Sequence, residues 1–295
     1  MAAGIDIKMS DKFDLFSDYS CELGEGPFWD LQSNGLLWVD IIGKKILQQS
    51  YDQTGPNVIN LAGNPGCAVL SNEGEVIAAI NNSISLIDGI GSPLKVLAET
   101  NEGSGLRFND GKCDPSGRFW VGSMDRNEKA PLGSLYSWRE SEGLIEREKG
   151  VTVSNGMGWS PEQGLFYYID SPTREVSVYD FDLLTGSIKN KRTFITFGQE
   201  DGFPDGMTID NEGRLWIAFW GGAKIMCVNP DSKAIEEVIN FPVSKITSCA
   251  FGGDRLDKLF VTSAKVDVNE MDEPLAGKTF VFSPGVSGAH SYQLL

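Results

Sequence analysis

One pattern recurs six times along the chain: a short apolar strand, a turn of the Asp/Ser-x-x-Gly kind, and a second apolar strand with a large central residue. The central residues are Trp38, Ile77, Trp120, Tyr168, Trp216 and Phe260. Successive copies are 39 to 48 positions apart. A period in the forties whose unit offers pairs of strands is typical of a β-propeller blade. The repeat therefore predicts an all-β fold, a six-bladed β-propeller with a central channel.

Six such units account for most of the 295 residues, so we predict a single propeller domain over residues 1–295. Residues 1–12 precede the first copy and are expected to form a loose tail. The segment Phe13-Asp14-Leu15-Phe16 alternates apolar and polar residues, as a half-buried strand does. We expect this segment to pair with the last blade and close the ring.

Charge and composition exclude several classes of partner. The formal net charge of −16 would repel a phosphate polyanion, so we expect no nucleic acid. No apolar run approaches the ~18 residues of a membrane span, and no leader pattern is evident. The five cysteines are odd in number and spread singly, which favours reduced thiols and a cytoplasmic location. A monomer or a weak homo-oligomer is expected.

The chain has a single histidine, His290, close to the C-terminus. A Ser-His-Asp or Cys-His mechanism would have to use this tail residue, and a histidine-rich zinc site is excluded. The turns that begin at Asp114 and Asp210 superficially resemble calcium loops. They lack the alternating acidic spacing of an EF-hand, and Asp at the first turn position with Gly at the fourth is ordinary hairpin chemistry.

Polar residues recur at a fixed place just before the first strand of four repeats. Glu25, Arg107 and Asn155 lie 13 positions before the central residue of their repeat, and Asn109 and Asp205 lie 11 before theirs. In a propeller this segment leads into the innermost strand and faces the channel. Carboxylate and amide oxygens converging there suit a hard divalent cation such as calcium, magnesium or manganese.

Four motifs around these residues, in this order, resemble the SMP-30/gluconolactonase/luciferin-regenerating-enzyme family, which includes regucalcin-like proteins. They are Gly24-Glu25-Gly26-Pro27, Arg107-Phe108-Asn109-Asp110-Gly111-Lys112, Ser154-Asn155-Gly156 and Pro204-Asp205-Gly206-Met207. The resemblance covers about residues 14–285. It implies one divalent metal ion in the channel (calcium, magnesium, manganese, zinc or iron) and hydrolysis of sugar lactones.

Position by position, the resemblance implies metal ligation by Glu25, Asn155 and Asp205. Asp205 also matches the catalytic base of the family, Arg107 a substrate-binding arginine, and Asn109 a residue near metal and substrate. The family often has a substrate-contacting glutamate after the Gly-Ser/Thr-Met segment. Here the spacing assigns that place to Asn127, with Glu128 adjacent.

Three functions are open at this stage. The first is metal-dependent hydrolysis of a sugar lactone to the aldonic acid, with metal-activated water and Asp205 as general base. The second is hydrolysis of other lactones or esters on the same scaffold. The third is a regucalcin-like calcium-binding or regulatory propeller without enzymatic activity. The fold alone does not separate them.

Overall fold

The strands form six four-stranded sheets, each antiparallel and each built from strands consecutive in sequence except the last. The computed structural model describes residues 13–87, 95–103 and 105–295; the expected tail, residues 1–12, lies outside this part of the chain. The first strand of each sheet contacts the first strand of the next, around a closed ring. The fold is the all-β six-bladed propeller that the repeat predicts.

The blades are numbered in chain order. Blade 1 contains β2 (Gly24–Asp30), β3 (Gly35–Asp40), β4 (Lys45–Ser50) and β5 (Asn57–Asn60). Blade 2 contains β6 (Pro65–Leu70), β7 (Val76–Ile80), β8 (Ser83–Ile87) and β9 (Lys95–Glu99). Blade 3 contains β10 (Leu106–Cys113), β11 (Phe119–Asp125), β12 (Gly133–Arg139) and β13 (Gly143–Val151).

The second half of the ring repeats the arrangement. Blade 4 contains β14 (Ser154–Trp159), β15 (Leu165–Asp170), β16 (Glu175–Asp182) and β17 (Ser187–Thr196). Blade 5 contains β18 (Phe203–Ile209), β19 (Leu215–Trp220), β20 (Lys224–Val228) and β21 (Ile235–Asn240). Blade 6 contains β22 (Ile246–Gly252), β23 (Lys258–Ser263), β24 (Thr279–Phe282) and β1 (Asp14–Ser17). The helices of the described residues are two 3₁₀ turns, Ser171–Thr173 and Gln199–Asp201. Neither is long and apolar enough to cross a membrane.

The large central residues of the repeats lie on the second strands and are buried. They pack against neighbouring blades: Trp120 meets Trp159 of blade 4 edge-on at 5.8 Å, and Phe260 stacks on Trp29 of blade 1 at 4.6 Å. Aromatic packing between sheets removes from water the faces that one blade cannot cover alone. This explains why the repeat has a large residue at that position.

The hairpin turns use aspartate as a structural residue, as expected. Asp114 Oδ1 accepts hydrogen bonds from the backbone N–H groups of Ser116 and Arg118, at 2.8 and 2.9 Å. Its Oδ2 accepts from the Arg118 guanidinium and the Trp120 indole. Asp210 makes the same set of contacts in blade 5. These oxygens are fully engaged within the protein, so neither turn is a calcium loop.

The five cysteines are buried and free. Burial raises the pKa of Cys21, Cys227 and Cys249 to about 12, and it raises the pKa of Cys67 and Cys113 well above the ordinary thiol value. A thiol with so high a pKa is a poor nucleophile and metal ligand. The cysteines therefore act as small buried apolar residues.

The two ends of the chain complete the ring in different ways. β1 pairs with β24 as the fourth strand of blade 6, which confirms the predicted closure. The C-terminal segment crosses the far end of the channel, where Gly288 bridges to Asp210 of blade 5 and Leu294 bridges to Ser71 beside blade 2. Residues His290 and Tyr292 of this segment line a cavity of about 80 Å³ at that end. We call residues 288–294 the C-terminal strap.

The closing strand is held by an aromatic anchor, which makes a testable prediction. Phe13 is 5% exposed and packs on Phe241 and Phe280, with ring centroids 5.1 and 5.4 Å apart. We expect Phe13→Ala to lower the free energy of unfolding by about 3–5 kcal/mol, because it leaves a cavity at the closure. Urea unfolding measures this change. Leu184→Ala, at a side chain that is 85% exposed, is the control and should change stability by less than ~0.5 kcal/mol. Equal effects would contradict the anchoring role.

Candidate active site

The polar residues singled out from the sequence lie at a local irregularity that the inner strands share. Each inner strand shifts register against its neighbour at one point, and in four blades the shift encloses or adjoins a candidate residue. The shifts lie between Glu25 and Phe28, Phe108 and Gly111, Ser154 and Met157, and Pro204 and Met207. A β-bulge leaves residues unpaired and re-aims their side chains, and such bulges are common beside active sites.

Glycines next to these residues let the inner strands approach one another closely. A Cβ atom on Gly156 would lie 2.6 Å from the backbone oxygen of Asp205, and one on Gly206 would lie 2.1 Å from Ser248 Oγ. Both distances are far inside van der Waals contact, and the first obstacle is backbone. The Asn-Gly and Asp-Gly pairs therefore bring candidate site residues of neighbouring blades together at the hub.

These side chains surround a cavity of about 260 Å³ at one end of the channel. Its polar wall contains Glu25, Arg107, Asn109, Asn155, Ser171 and Asp205. Four different blades supply these groups, so residues 180 positions apart in sequence share one site. Concave sites with a few convergent polar groups are the usual form of a small-molecule site.

A chain of hydrogen bonds fixes the orientation of the amides. Arg107 Nη1 donates to Asn109 Oδ1 at 2.6 Å, and Asn109 Nδ2 donates to the Ser154 carbonyl oxygen at 2.8 Å. Asn155 Nδ2 donates to Ser171 Oγ at 2.9 Å, and that hydroxyl donates to the Pro204 carbonyl oxygen at 2.6 Å. Asn155 Oδ1 accepts a longer hydrogen bond from Asn109 Nδ2 at 3.4 Å, and its second lone pair is the one available to the cavity that Asn155 lines.

The carboxyl groups of the hub repel one another in a buried setting. Burial, followed by the nearby Asp110, raises the pKa of Glu25 to about 8. Burial, followed by the charges of Glu25 and Asp110, raises the pKa of Asp205 well above its ordinary value. Burial also lowers the pKa of Arg107 to about 10. The protein alone therefore does not supply enough positive charge to stabilise two ionised carboxylates here.

A hard divalent cation would fit these groups. Within the part of the chain that the structure describes, Asp205 Oδ1 is buried and has no hydrogen-bond partner, which is costly unless something else contacts it. Among the described residues there is no cluster of three His, Cys, Asp or Glu side chains with metal-site geometry. The donor set here is two carboxylates and one amide oxygen, from Glu25, Asp205 and Asn155, which matches the oxygen preference of calcium or magnesium.

The loop after β11 differs from the expectation. Asn127 is exposed and donates to the Asp125 carboxylate, through its backbone N–H at 3.0 Å and its side chain at 3.3 Å. Glu128 is the residue of this loop that lines the cavity, and its φ of 58° is in the left-handed region. The turn capped by Asp125 thus places Glu128, one position after Asn127, at the cavity wall. Asn127 itself is not among the lining residues of the cavity, and its contact with substrate stays a prediction.

The sequence did not predict the roles of three further residues of the hub. Ser171 follows the second strand of blade 4 and belongs to a 3₁₀ turn, for which the repeat offsets carry no signal. Glu128 depends on the loop conformation. Asp110, buried beside Asn109, lines the cavity at the strap end of the channel. The sequence signal for Asp110 was its place in the motif Asn109-Asp110-Gly111.

This arrangement defines the class: a propeller with an oxygen-rich pocket at the hub. The sequence profile of the SMP-30/gluconolactonase/LRE-like region matches residues 23–265, and the chain belongs to this family. It is 35% identical to regucalcin of Danio rerio over 277 residues, which are 92% of this chain and 94% of the relative. It is 33% identical to the putative sugar lactone lactonase YvrE of Bacillus subtilis, over 90% of this chain and 92% of the relative.

Solved structures agree with the fold. A luciferin-regenerating enzyme superposes with a TM-score of 0.89 at 29% identity, covering 96% of this chain and 98% of the other. A regucalcin from Agrobacterium tumefaciens, described as a calcium-binding protein, superposes with a TM-score of 0.90 at 23% identity, covering 96% and 97% of the two chains. The second likeness supports the propeller fold alone, because its sequence identity is low.

The raised carboxyl pKa values predict how stability depends on pH. Without metal, folded Glu25 keeps its proton up to a pKa of about 8, whereas the unfolded chain loses it near 4.5. The folded state therefore binds more protons in that interval, and stability falls as the pH rises through it. Calcium ions should offset this loss, so we expect the Tm gain from added Ca²⁺ to be larger at pH 8 than at pH 6.

Thermal unfolding of chelator-treated protein, with and without Ca²⁺, measures this difference. Glu25→Gln is the matched control, because it keeps the side-chain shape and removes the titrating group. A calcium-dependent gain that is the same at both pH values in the unmodified protein would show that the hub carboxyls do not hold the cation.

Proposed function

We propose that this protein hydrolyses a sugar lactone to the open-chain aldonic acid, with a divalent cation held by Glu25, Asn155 and Asp205. The observation that carries the proposal is the buried, unpartnered Asp205 Oδ1 beside a second carboxyl and an oriented amide oxygen. Membership of a family that includes gluconolactonases supports it. When bound, such a cation polarises a carbonyl group and lowers the pKa of water.

Asp205 is the proposed general base. Neutralisation of the hub by a cation would lower its pKa again and restore the carboxylate at neutral pH, because an opposite charge favours the ionised form. The carboxylate would accept a proton as water attacks the lactone carbonyl. The proton would then go to the ring oxygen, which leaves as an alcohol when the ring opens.

Arg107 and Asn109 are proposed to hold the substrate. Among described residues, Arg107 uses only Nη1 for internal hydrogen bonds, to the Phe108 and Asn109 oxygens. Its other N–H groups are free to donate to a lactone oxygen and to the negative charge that grows there in the transition state. Asn109 sets the position of that guanidinium. Glu128 would accept hydrogen bonds from substrate hydroxyls at the edge of the pocket.

One experiment tests the activity directly. The protein is stripped with chelator, single metals (Ca²⁺, Mg²⁺, Mn²⁺, Zn²⁺) are restored, and acid release is followed on a panel of aldonolactones and one aryl lactone. We expect metal-dependent hydrolysis of aldonolactones. Metal binding without hydrolysis of any lactone would favour the calcium-binding function instead, and hydrolysis of the aryl lactone alone would favour a different esterase.

Two substitutions separate the base from the metal ligands. Asp205→Asn retains an oxygen donor but removes the base, so we expect kcat to fall about 10²–10⁴-fold even at saturating metal. Glu25→Gln also weakens metal binding but leaves the base, so high metal concentrations should restore much of its activity. Steady-state kinetics across a metal titration distinguishes the two. Recovery of Asp205→Asn at high metal would contradict the role of general base.

A further inference from the structure

The pocket has two layers. The polar groups form the inner layer, and the residues that lie two positions before them in the sequence form the outer layer. Leu23, Val153 and Phe203 stand two residues ahead of Glu25, Asn155 and Asp205, and all line the cavity. Residues two apart on a strand face the same side. Phe203 is 38% exposed and Asp205 5%, so the outer layer lies toward solvent and the inner layer toward the channel.

The outer layer is mostly apolar. The ends of the second strands and the loops that follow add Pro172 and Trp220 to it, and Ile41 and Met124 lie deeper in the same wall, at 2% and 1% exposed. Arg107, two positions before Asn109, and Glu128 are its charged members. Blades 1, 4 and 5 therefore present hydrocarbon at the pocket, and blade 3 presents the charged groups together with Met124. A fully hydroxylated ligand would leave hydroxyl groups against this hydrocarbon without partners.

Two aromatic rings on blade 5 form one side of this apolar wall. Phe203 and Trp220 are directly paired across β18 and β19. The Arg174 guanidinium lies 4.0 Å from the Phe203 ring centroid and is fixed by the Gly202 carbonyl oxygen. The Lys245 ammonium lies 4.7 Å from the Trp220 ring centroid. A cation over each ring holds it in place while the ring remains part of the cavity wall.

We propose that this aromatic pair is a subsite for an apolar end of the substrate, so that the preferred lactone carries a terminal methyl group, as lactones of deoxy sugar acids do. The inference rests on the proposed function. The lactone carbonyl would lie at Asp205, and hydroxyls near the ring would meet Arg107 and Glu128. The far carbon would reach the mouth beside Phe203, two residues outward along the same strand.

Matched lactones test this selectivity. L-Rhamnonolactone and L-mannonolactone differ only by a hydroxyl on the terminal carbon, as do L-fuconolactone and L-galactonolactone. We expect kcat/KM to favour the deoxy member of at least one pair by about 10- to 100-fold, the discrimination that an apolar pocket achieves between a methyl and a hydroxylated group. The difference should reside mainly in KM, because the subsite is remote from the reacting carbonyl.

Substitutions of Phe203 assign the selectivity to this wall. Phe203→Ala should reduce the preference to within about threefold by raising KM for the deoxy lactone, whereas Phe203→Leu should retain most of it. Leu184→Ala, in the turn between β16 and β17, is the matched control and should leave the preference unchanged. Metal affinity, measured by the calcium-dependent Tm gain, should be the same in all three variants.

The outcomes separate this inference from the function on which it rests. Equal rates on both members of each pair, or a preference for the hydroxylated member, overturn the subsite and leave the lactonase proposal intact. A deoxy preference that survives in Phe203→Ala also overturns the subsite. Failure to hydrolyse any lactone overturns the proposed function and the subsite together.

Discussion

The site depends on a steric condition at the hub: inner strands of neighbouring blades touch, and only glycine fits at the contact. At Gly156 any side chain would collide with the backbone of Asp205, and at Gly206 with Ser248 of the next blade. Because each glycine directly follows a polar residue, the same contact that closes the ring brings Asn155 and Asp205 together. The packing that closes the ring therefore also assembles the pocket. The register shifts in the inner strands allow the side chains to turn inward.

The electrostatics of the hub follow from that assembly. Burial raises the pKa of Glu25, Asp110 and Asp205, and neighbouring carboxyls raise those of Glu25 and Asp205 further; the positive charges of Arg107, beside Glu25, and of Lys112, beside Asp110, do not offset this. A folded protein tolerates such an arrangement where a cation or a proton completes it. The oriented amides add oxygen donors without adding charge, which is why asparagine suits this position better than a further acid.

The sequence predicted the parts of the structure that repeat. The spacing of Trp38, Trp120 and their equivalents specifies the blades, and counting back 13 or 11 positions from them finds Glu25, Asn155 and Asp205, because the two inner strands differ by at most two residues in length from blade to blade. The sequence did not predict the parts of the structure that do not repeat. Glu128 reaches the cavity wall because of the turn that Asp125 caps, and Ser171 takes part in the site through a hydrogen bond to the next blade. The apolar mouth was also missed, since Leu23 and Phe203 read as ordinary strand residues until the register places them in the pocket.

The position of the C-terminal strap affects how a small molecule would reach and leave the pocket. It bridges blade 5 to blade 2, so C-terminal residues lie across the end of the channel opposite the polar pocket. Under the proposed function, substrate would enter and product would leave past Phe203 and Trp220, and the anionic product would pass the positively charged Arg107. If the protein is the proposed lactonase, we expect release of the opened acid, rather than opening of the ring, to limit turnover when product accumulates.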